Sequence, residues 1–435
     1  MDQGPKLAAV NAMLSKIDDP HGQGGIVFTQ VYHEQARASA AAADTLSALG
    51  VEQNPLAGRA ISVKDLFDIK GHRTLAGSRV LSSSAPAEQD AAAVRRLRMC
   101  GAAVIGKTNM TEFAFSGLGI NPHYGTPVSQ WDPDSRRIPG GSSSGAAVSI
   151  VEGMAWGAVG TDTGGSCRIP AALNGIVGLK PSAHNVPREG ALPLSDSYDS
   201  VGPLASTVAD CAQLYAALSG AEPRMRERPL ATVRFCVLQN YVLEGLEDAV
   251  GRAYEAALST LSTAGAQLHE VKLGALDDMP TVLTSGGLVA AEAFRWHRNL
   301  LLDRKDEYDP RVSLRIERGA AISAAEYIEL TLLRRKMIRN WSEQMAPFDV
   351  LLMPTVPAIA PGIDDLKDEE EYGRANLLML RNPTLVNVFD GCAITVPCHE
   401  AGDPPVGLSL AGSRDRDWDV LEIANSVERL FKPWA

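Results

Sequence analysis

Aromatic residues, cysteine and positive charge are all scarce in this chain of 435 residues. Phe, Trp and Tyr make up 6% of it, and the six cysteines (Cys100, Cys167, Cys211, Cys236, Cys392, Cys398) form no C-x-x-C pair. With no histidine near them at zinc-ligand spacing, they read as free thiols rather than a disulfide frame or a metal site. Lys and Arg number 41 against 52 Asp and Glu, a net charge of -11. That balance works against nonspecific attraction to nucleic acid or anionic membrane. No apolar run is long enough to cross a bilayer, and Met1-Asp2-Gln3-Gly4-Pro5-Lys6 lacks the apolar core of a signal peptide. The expected compartment is therefore the cytoplasm.

What is present is ample core-forming material, 45% hydrophobic residues with 21% charged, which excludes a mainly disordered chain. The length would fill roughly three domains of about 150 residues, but large α/β enzymes exceed that as one unit, and a single domain over 1–435 is expected. Helical and strand patterns alternate as in an α/β sheet. The alanine-rich 31–49 predicts a helix, 60–64 a strand, 91–100 a helix and 103–106 a strand. Residues 122–141, rich in Pro and Gly, predict a loop; small residues over 144–152 predict a closely packed helix, and 156–160 a strand. Thr207 and Asp210, like Ser323 and Glu326, have the spacing of a helix-opening capping box. Further strands are expected at 233–238, 269–273, 349–353, 393–396 and 406–410, with helices at 246–261 and 420–431. The acidic run from Asp364 to Glu371 reads as a solvated loop.

The chemistry concentrates in two glycine-rich blocks, Gly140-Gly141-Ser142-Ser143-Ser144-Gly145 and Gly160-Thr161-Asp162-Thr163-Gly164-Gly165-Ser166-Cys167-Arg168-Ile169-Pro170. The first satisfies G-x-S-x-G, which would make Ser143 a hydrolase nucleophile, but Asp134 to Pro139 is a poor buried strand to lead into such an elbow. Asp162-Thr163-Gly164 has the look of an aspartic-protease loop, yet no second loop supplies the paired carboxylate. The third reading uses both blocks. Ser166 is the nucleophile, and the backbone amides of Thr163, Gly164, Gly165 and Ser166 hold the oxyanion. No histidine offers itself as base, and His123 and His399 receive no role. Lys64 ends an otherwise apolar strand, where desolvation lowers an ammonium pKa; a shift of roughly 3 units, about 4 kcal/mol, leaves a substantial neutral fraction near pH 7.

This combination resembles the amidase signature family. The likeness rests on Lys64-Asp65 followed by Gly71, Thr74, Gly77 and Ser78, on both serine blocks, and on Gly178-Leu179-Lys180-Pro181. It extends through 106–113, 202–205 and 353–355 to 405–412, and so covers most of the chain. The resemblance implies an α/β fold with a mixed central β-sheet surrounded by helices. The motif core would span about 60–210 and a more variable substrate-pocket region about 185–381. It assigns Ser166 as the acyl-forming nucleophile, Ser142 as a bridging serine on a cis peptide that relays the proton, and Lys64 as the terminal base. Ser143, Asp162 and Arg168 become supporting residues that orient the serines and the glycine loop. No metal or organic cofactor is implied. The partner would be a small amide substrate, with a homodimer as a family expectation and no nucleic acid or membrane.

Around these residues, Cys167 reads as a small buried filler, which could make the protein sensitive to thiol reagents, and Arg168 has the alternative of meeting an acidic substrate. Glu112, Asn121 and Tyr124 lie on a loop that approaches the site in relatives; Phe113, Phe115 and Trp131 could line an acyl pocket or sit in the core. There are three rival readings. One is the glutamine-amidase subunit of a tRNA-dependent amidotransferase, disfavoured by the acidic balance and the lack of an added RNA-binding region. The second is an enzyme acting mainly as an esterase. The third is a catalytically silent binding protein, against which the intact Lys64, Ser142 and Ser166 argue.

Overall fold

The computed structural model describes residues 4–431. Eleven strands form one mixed sheet: β1 (Phe28–Val31), β2 (Ala60–Lys64), β3 (Ala103–Thr108), β4 (Gly157–Asp162), β5 (Val177–Lys180), β6 (Ser200–Ala205), β7 (Arg234–Leu238), β8 (Gln267–Val271), β9 (Val350–Pro354), β10 (Cys392–Pro397) and β11 (Gly407–Gly412). Their order across the sheet is β1-β3-β2-β4-β6-β5-β10-β11-β9-β7-β8. Two parallel groups, β3-β2-β4 and β9-β7-β8, flank an antiparallel centre. Every residue of β2, β3, β4, β5 and β6 is buried. That explains their short, nearly unbroken apolar or small-residue runs, since a strand covered on both faces has no need to alternate. Leu179, Val201, Ile394 and Leu408 from the centre share one core with Val420, Leu421 and Val427 of the helix Asp417–Leu430.

Each expected helix and strand forms within a few residues of its predicted bounds. Ser323 and Glu326 make the full reciprocal cap, whereas Thr207 accepts from the Asp210 N–H at the start of Val208–Ser219. The acidic run departs from expectation. Asp364–Leu366 is a short 3₁₀ turn, and Asp368 caps the helix Glu369–Val388, accepting from the Glu370 and Glu371 N–H groups. Three glutamates in the first turn face the positive end of the helix dipole, which stabilises the acidic sequence as helix rather than loop. Strand β1, with Phe28 alone of its four residues fully buried, has too weak a pattern to be read in advance.

This topology puts the ends of β2, β3 and β4 side by side. Because the three are parallel, with Val63 opposite both Lys107 and Val159, the residues that follow their apolar runs emerge at the same end of the sheet.

Candidate active site

Lys64, the last residue of β2, is fully buried. Its Nζ donates to Ser142 Oγ at 2.7 Å and to Thr161 Oγ1, on the adjoining β4, at 3.0 Å. Burial lowers its pKa to about 8, with Asp199 and Asp162 pulling the other way. Desolvation penalises the ammonium, so the neutral amine is accessible under mild conditions.

Ser142 follows a cis Gly141–Ser142 peptide. Its carbonyl accepts from the Thr111 N–H at 3.1 Å, and the Gly141 N–H donates to Gly117 O at 2.8 Å. The helix Ser144–Val151 begins directly after, almost wholly buried, and Ser149 Oγ lies 2.9 Å from Ser62 Oγ of β2. Small residues are required here: a Cβ on Gly145 would come within 2.6 Å of Val27 O.

The second block leaves β4 at Asp162, turns through Thr163-Gly164-Gly165 and enters the helix Arg168–Leu173 just past Ser166. Asp162 organises the turn. Its carboxylate accepts from the Gly165 N–H (2.9 Å), the Cys167 N–H (3.2 Å), Arg168 Nε and Nη2 (3.0 and 2.8 Å) and Asn387 Nδ2 (3.0 Å). Burial alone would raise its pKa, but Arg168 and these hydrogen bonds outweigh it and hold the group down at about 2. Arg168, itself buried, also donates to Asn387 Oδ1 at 2.8 Å. It faces inward to Asp162 rather than toward a substrate. The Ser143 N–H donates to Ser166 O at 3.3 Å and Ser143 Oγ to Thr161 O at 3.4 Å, so Ser143 ties the two blocks together. Among the described residues no hydrogen bond joins the hydroxyls of Ser142 and Ser166.

Thr163, Gly164 and Ser166 line a cavity of about 740 Å³ that runs out past Phe115, Leu194, Val289 and Leu380. Its wall draws on residues from Ala114 to Thr384. Of the three aromatics considered for it, Phe115 lines it; Phe113 packs against His297 and Tyr308, and Trp131 lies under the Arg137 guanidinium. Glu112 is buried away from it, accepting from Ser78 Oγ, His123 Nε2 and the Asp309 N–H, while Asn121 Nδ2 bonds Gly77 O and Met110 O. Tyr124 OH donates to Ser78 O. Those three brace the loop. Cys167 is buried, its thiol pushed up by the same burial, which leaves little thiolate to react.

Several residues at the site went unread in the sequence. Asp199 accepts from Thr163 Oγ1 and from the N–H groups of Leu194 and Ser195, and burial raises its pKa to about 6. Thr384 Oγ1 donates to Gly164 O at 3.2 Å, and Asn387 holds both Asp162 and Arg168. A signal for the helix residues existed: Asn376, Asn382 and Asn387 are buried on Glu369–Val388, where asparagine is a poor helix former without a specific partner.

The chain is similar to known proteins over nearly its whole length. The chain is 38% identical over 403 residues to the 2-amino-5-chloromuconic acid deaminase of Comamonas testosteroni, covering 91% of this chain and 87% of that protein. It is 32% identical over 463 residues to a glutamyl-tRNA(Gln) amidotransferase subunit from Anaeromyxobacter dehalogenans, covering 98% and 92%. A crystal structure of an amidase superposes with a TM-score of 0.88 at 32% identity, over 98% of this chain and 96% of that one. A model of the Amidase family matches residues 8–421. With a buried lysine against one serine block, a second serine block lining a cavity, and likeness over nearly the whole length, this chain belongs to the Amidase family and is an amidohydrolase acting on C–N bonds.

Proposed function

We propose that the protein hydrolyses a small carboxamide to a carboxylate and ammonia or an amine through an acyl-enzyme on Ser166, with 1–435 working as one catalytic domain. The observation that carries this reading is Lys64 Nζ, buried and 2.7 Å from Ser142 Oγ, in a site whose cavity is lined by Ser166. Neutral Lys64 takes the Ser142 proton while Ser142 takes that of Ser166, and Ser166 Oγ attacks the amide carbon. The tetrahedral oxyanion is held by backbone amides of the Thr163 to Ser166 turn. Because the Gly165 N–H already donates to Asp162, the donors are assigned to Thr163, Gly164 and Ser166. Gly165 serves by its backbone shape. The proton returns through Ser142 to the leaving nitrogen, and water repeats the relay to free the acid.

The names of the relatives support C–N chemistry, one being a deaminase and one belonging to an amidotransferase. The test is a panel of amides and matched esters with a serine-directed phosphonate. Wild type should release ammonia and lose activity on labelling at Ser166; Ser166→Ala and Ser142→Ala should each cut kcat/KM by at least ~10³-fold, the scale on which relay residues act together. Full activity in Ser166→Ala overturns the assignment.

A further inference from the structure

Asp199 is a buried carboxylate with no cation in contact. Asp162 has Arg168 at 2.8 Å, and Asp65 has Lys107 at 2.8 Å. Among the described residues the Asp199 side chain enters no ion pair, and it accepts from Thr163 Oγ1 and from the Leu194 and Ser195 N–H groups. Arg188 comes near, but its guanidinium donates to the backbone carbonyls of Asp196 and Asp199. Holding the loop does not require this carboxylate either. Glu292, on the helix Gly287–Arg304, accepts from Ser195 Oγ, the Ser197 N–H, Ser197 Oγ and Tyr327 OH, and so anchors the same loop. A buried carboxylate without a cation is costly to keep, and it persists where a charge elsewhere offsets that cost.

That charge is on Lys64. β4 and β6 run antiparallel with Asp162 opposite Ser200, so Thr163 and Asp199 come next in line, joined by the Thr163 Oγ1 bond. Lys64 Nζ bonds Thr161 Oγ1, two residues before Thr163. Side chains two positions apart on an extended chain share a face. The ammonium and the carboxylate therefore stand about one two-residue repeat apart, ~7 Å. Burial strips the Lys64 proton, and Cys167, Asp199 and Asp162 are the groups whose negative forms would hold it on. Burial also keeps the Cys167 thiol neutral, and the Asp162 charge is met by Arg168 and by Lys180. Asp199 remains, ionised wherever Lys64 titrates because burial raises its pKa no further than about 6.

We propose that Asp199 is the counter-charge of the relay, stabilising the Lys64 ammonium that forms when Ser142 gives up its proton. In that step the proton passes from Ser142 Oγ to Lys64 Nζ while Ser142 takes the Ser166 proton. The positive charge ends on Lys64 and the negative charge on the tetrahedral oxyanion. A fixed carboxylate near Nζ favours this separation without reorganising, which is how preorganised charge lowers a barrier. Asp199 touches no reacting atom; it acts through Lys64 and through the turn that Thr163 begins. This proposal rests on the relay reading above, and its test separates the two.

The test is the pH profile of kcat/KM on a neutral amide, hexanamide or benzamide, in neutral and charged replacements of Asp199. Asp199→Asn and Asp199→Ser should each move the break near pH 8 down by about one pH unit, the scale of a unit charge at this separation. Their plateau should fall about 3-fold or more, because a weaker base drives the proton transfer less. Asp199→Glu should keep the break near pH 8 even where its longer side chain lowers the plateau. A residue that only held the loop would lower the plateau and leave the break in place. Denaturant titrations supply a readout that requires no turnover. The Lys64-dependent part of stability is the difference between each protein and its Lys64→Met partner. It should begin to rise near pH 8 in wild type and about one unit lower in Asp199→Asn. A break and an onset that stay put in the neutral variants, or that move as far in Asp199→Glu, overturn the proposal. An onset that shifts as expected in a protein that hydrolyses no amide would overturn the amidase reading alone.

Discussion

At the residue scale the site turns on one titration. In the proposed relay Lys64 must be neutral to accept a proton, and burial brings its pKa to about 8 from the 10.5 of a free lysine. kcat/KM should therefore rise about tenfold per pH unit below pH 8 and level off above it, a profile measurable with a neutral amide. The same shift has a stability consequence of opposite origin. Between pH 8 and 10.5 the unfolded chain binds more protons at this position than the folded one, so stability contributed here rises with pH across that window. Below it, keeping the ammonium buried costs about 3 kcal/mol. Lys64→Met should be inactive and should flatten that part of the stability profile in denaturant titrations; an unchanged pH dependence of stability would contradict the assigned pKa.

The neighbouring carboxylate shows how one environment pushes two buried groups in different directions. Asp162 stays ionised because Arg168 and a ring of N–H donors surround it, while Asp199, whose carboxylate accepts from hydroxyl and amide donors and whose nearby Arg188 guanidinium bonds its backbone carbonyl instead, rises to about 6. A guanidinium at hydrogen-bond distance outweighs the desolvation that dominates elsewhere.

At the element scale the decisive unit is the turn between β4 and the helix Arg168–Leu173. Gly165 has φ +123, a conformation L side chains rarely adopt, and a Cβ there would lie 2.6 Å from the Pro383 ring. Gly165→Ala should therefore displace the turn from its place against the helix Glu369–Val388. Misplacing an oxyanion donor costs ~10²-fold or more in kcat. Gly373→Ala, on the same long helix but with open space around it, is the control and should raise stability by up to ~1 kcal/mol. Comparable kinetics in the two variants would argue that the turn does not hold the oxyanion.

For the whole molecule, the motif-bearing stretch is not separable from the later half of the chain. β5 pairs with β10, and Asp162 depends on Asn387, 225 residues later in the chain. A fragment covering 60–210 would keep Lys64, Ser142 and Ser166 but lose those partners and most of the sheet. It should show no cooperative thermal transition by circular dichroism and no measurable amide hydrolysis. A sharp transition in the fragment would refute the dependence on the later strands.

What the sequence determined by itself was where the candidate residues of the proposed relay lie. Ser142 and Ser166 were readable because each sits in a block whose glycines and small residues matter over a few positions, and Lys64 because it ends a short apolar strand; backbone geometry is a local property. The same held for most helices and strands, whose periodicity or capping residues are carried within ten or twenty positions. Only the tertiary structure decided which groups compensate one another: Arg168 turning inward to Asp162 and Asn387, the Gly165 N–H already spent on Asp162, and Asp199 behind Thr163. Charge compensation and cavity shape arise between segments hundreds of residues apart, such as the 219 that separate Arg168 from Asn387. Their energies depend on burial and distance, and neither exists until the sheet has brought those segments together.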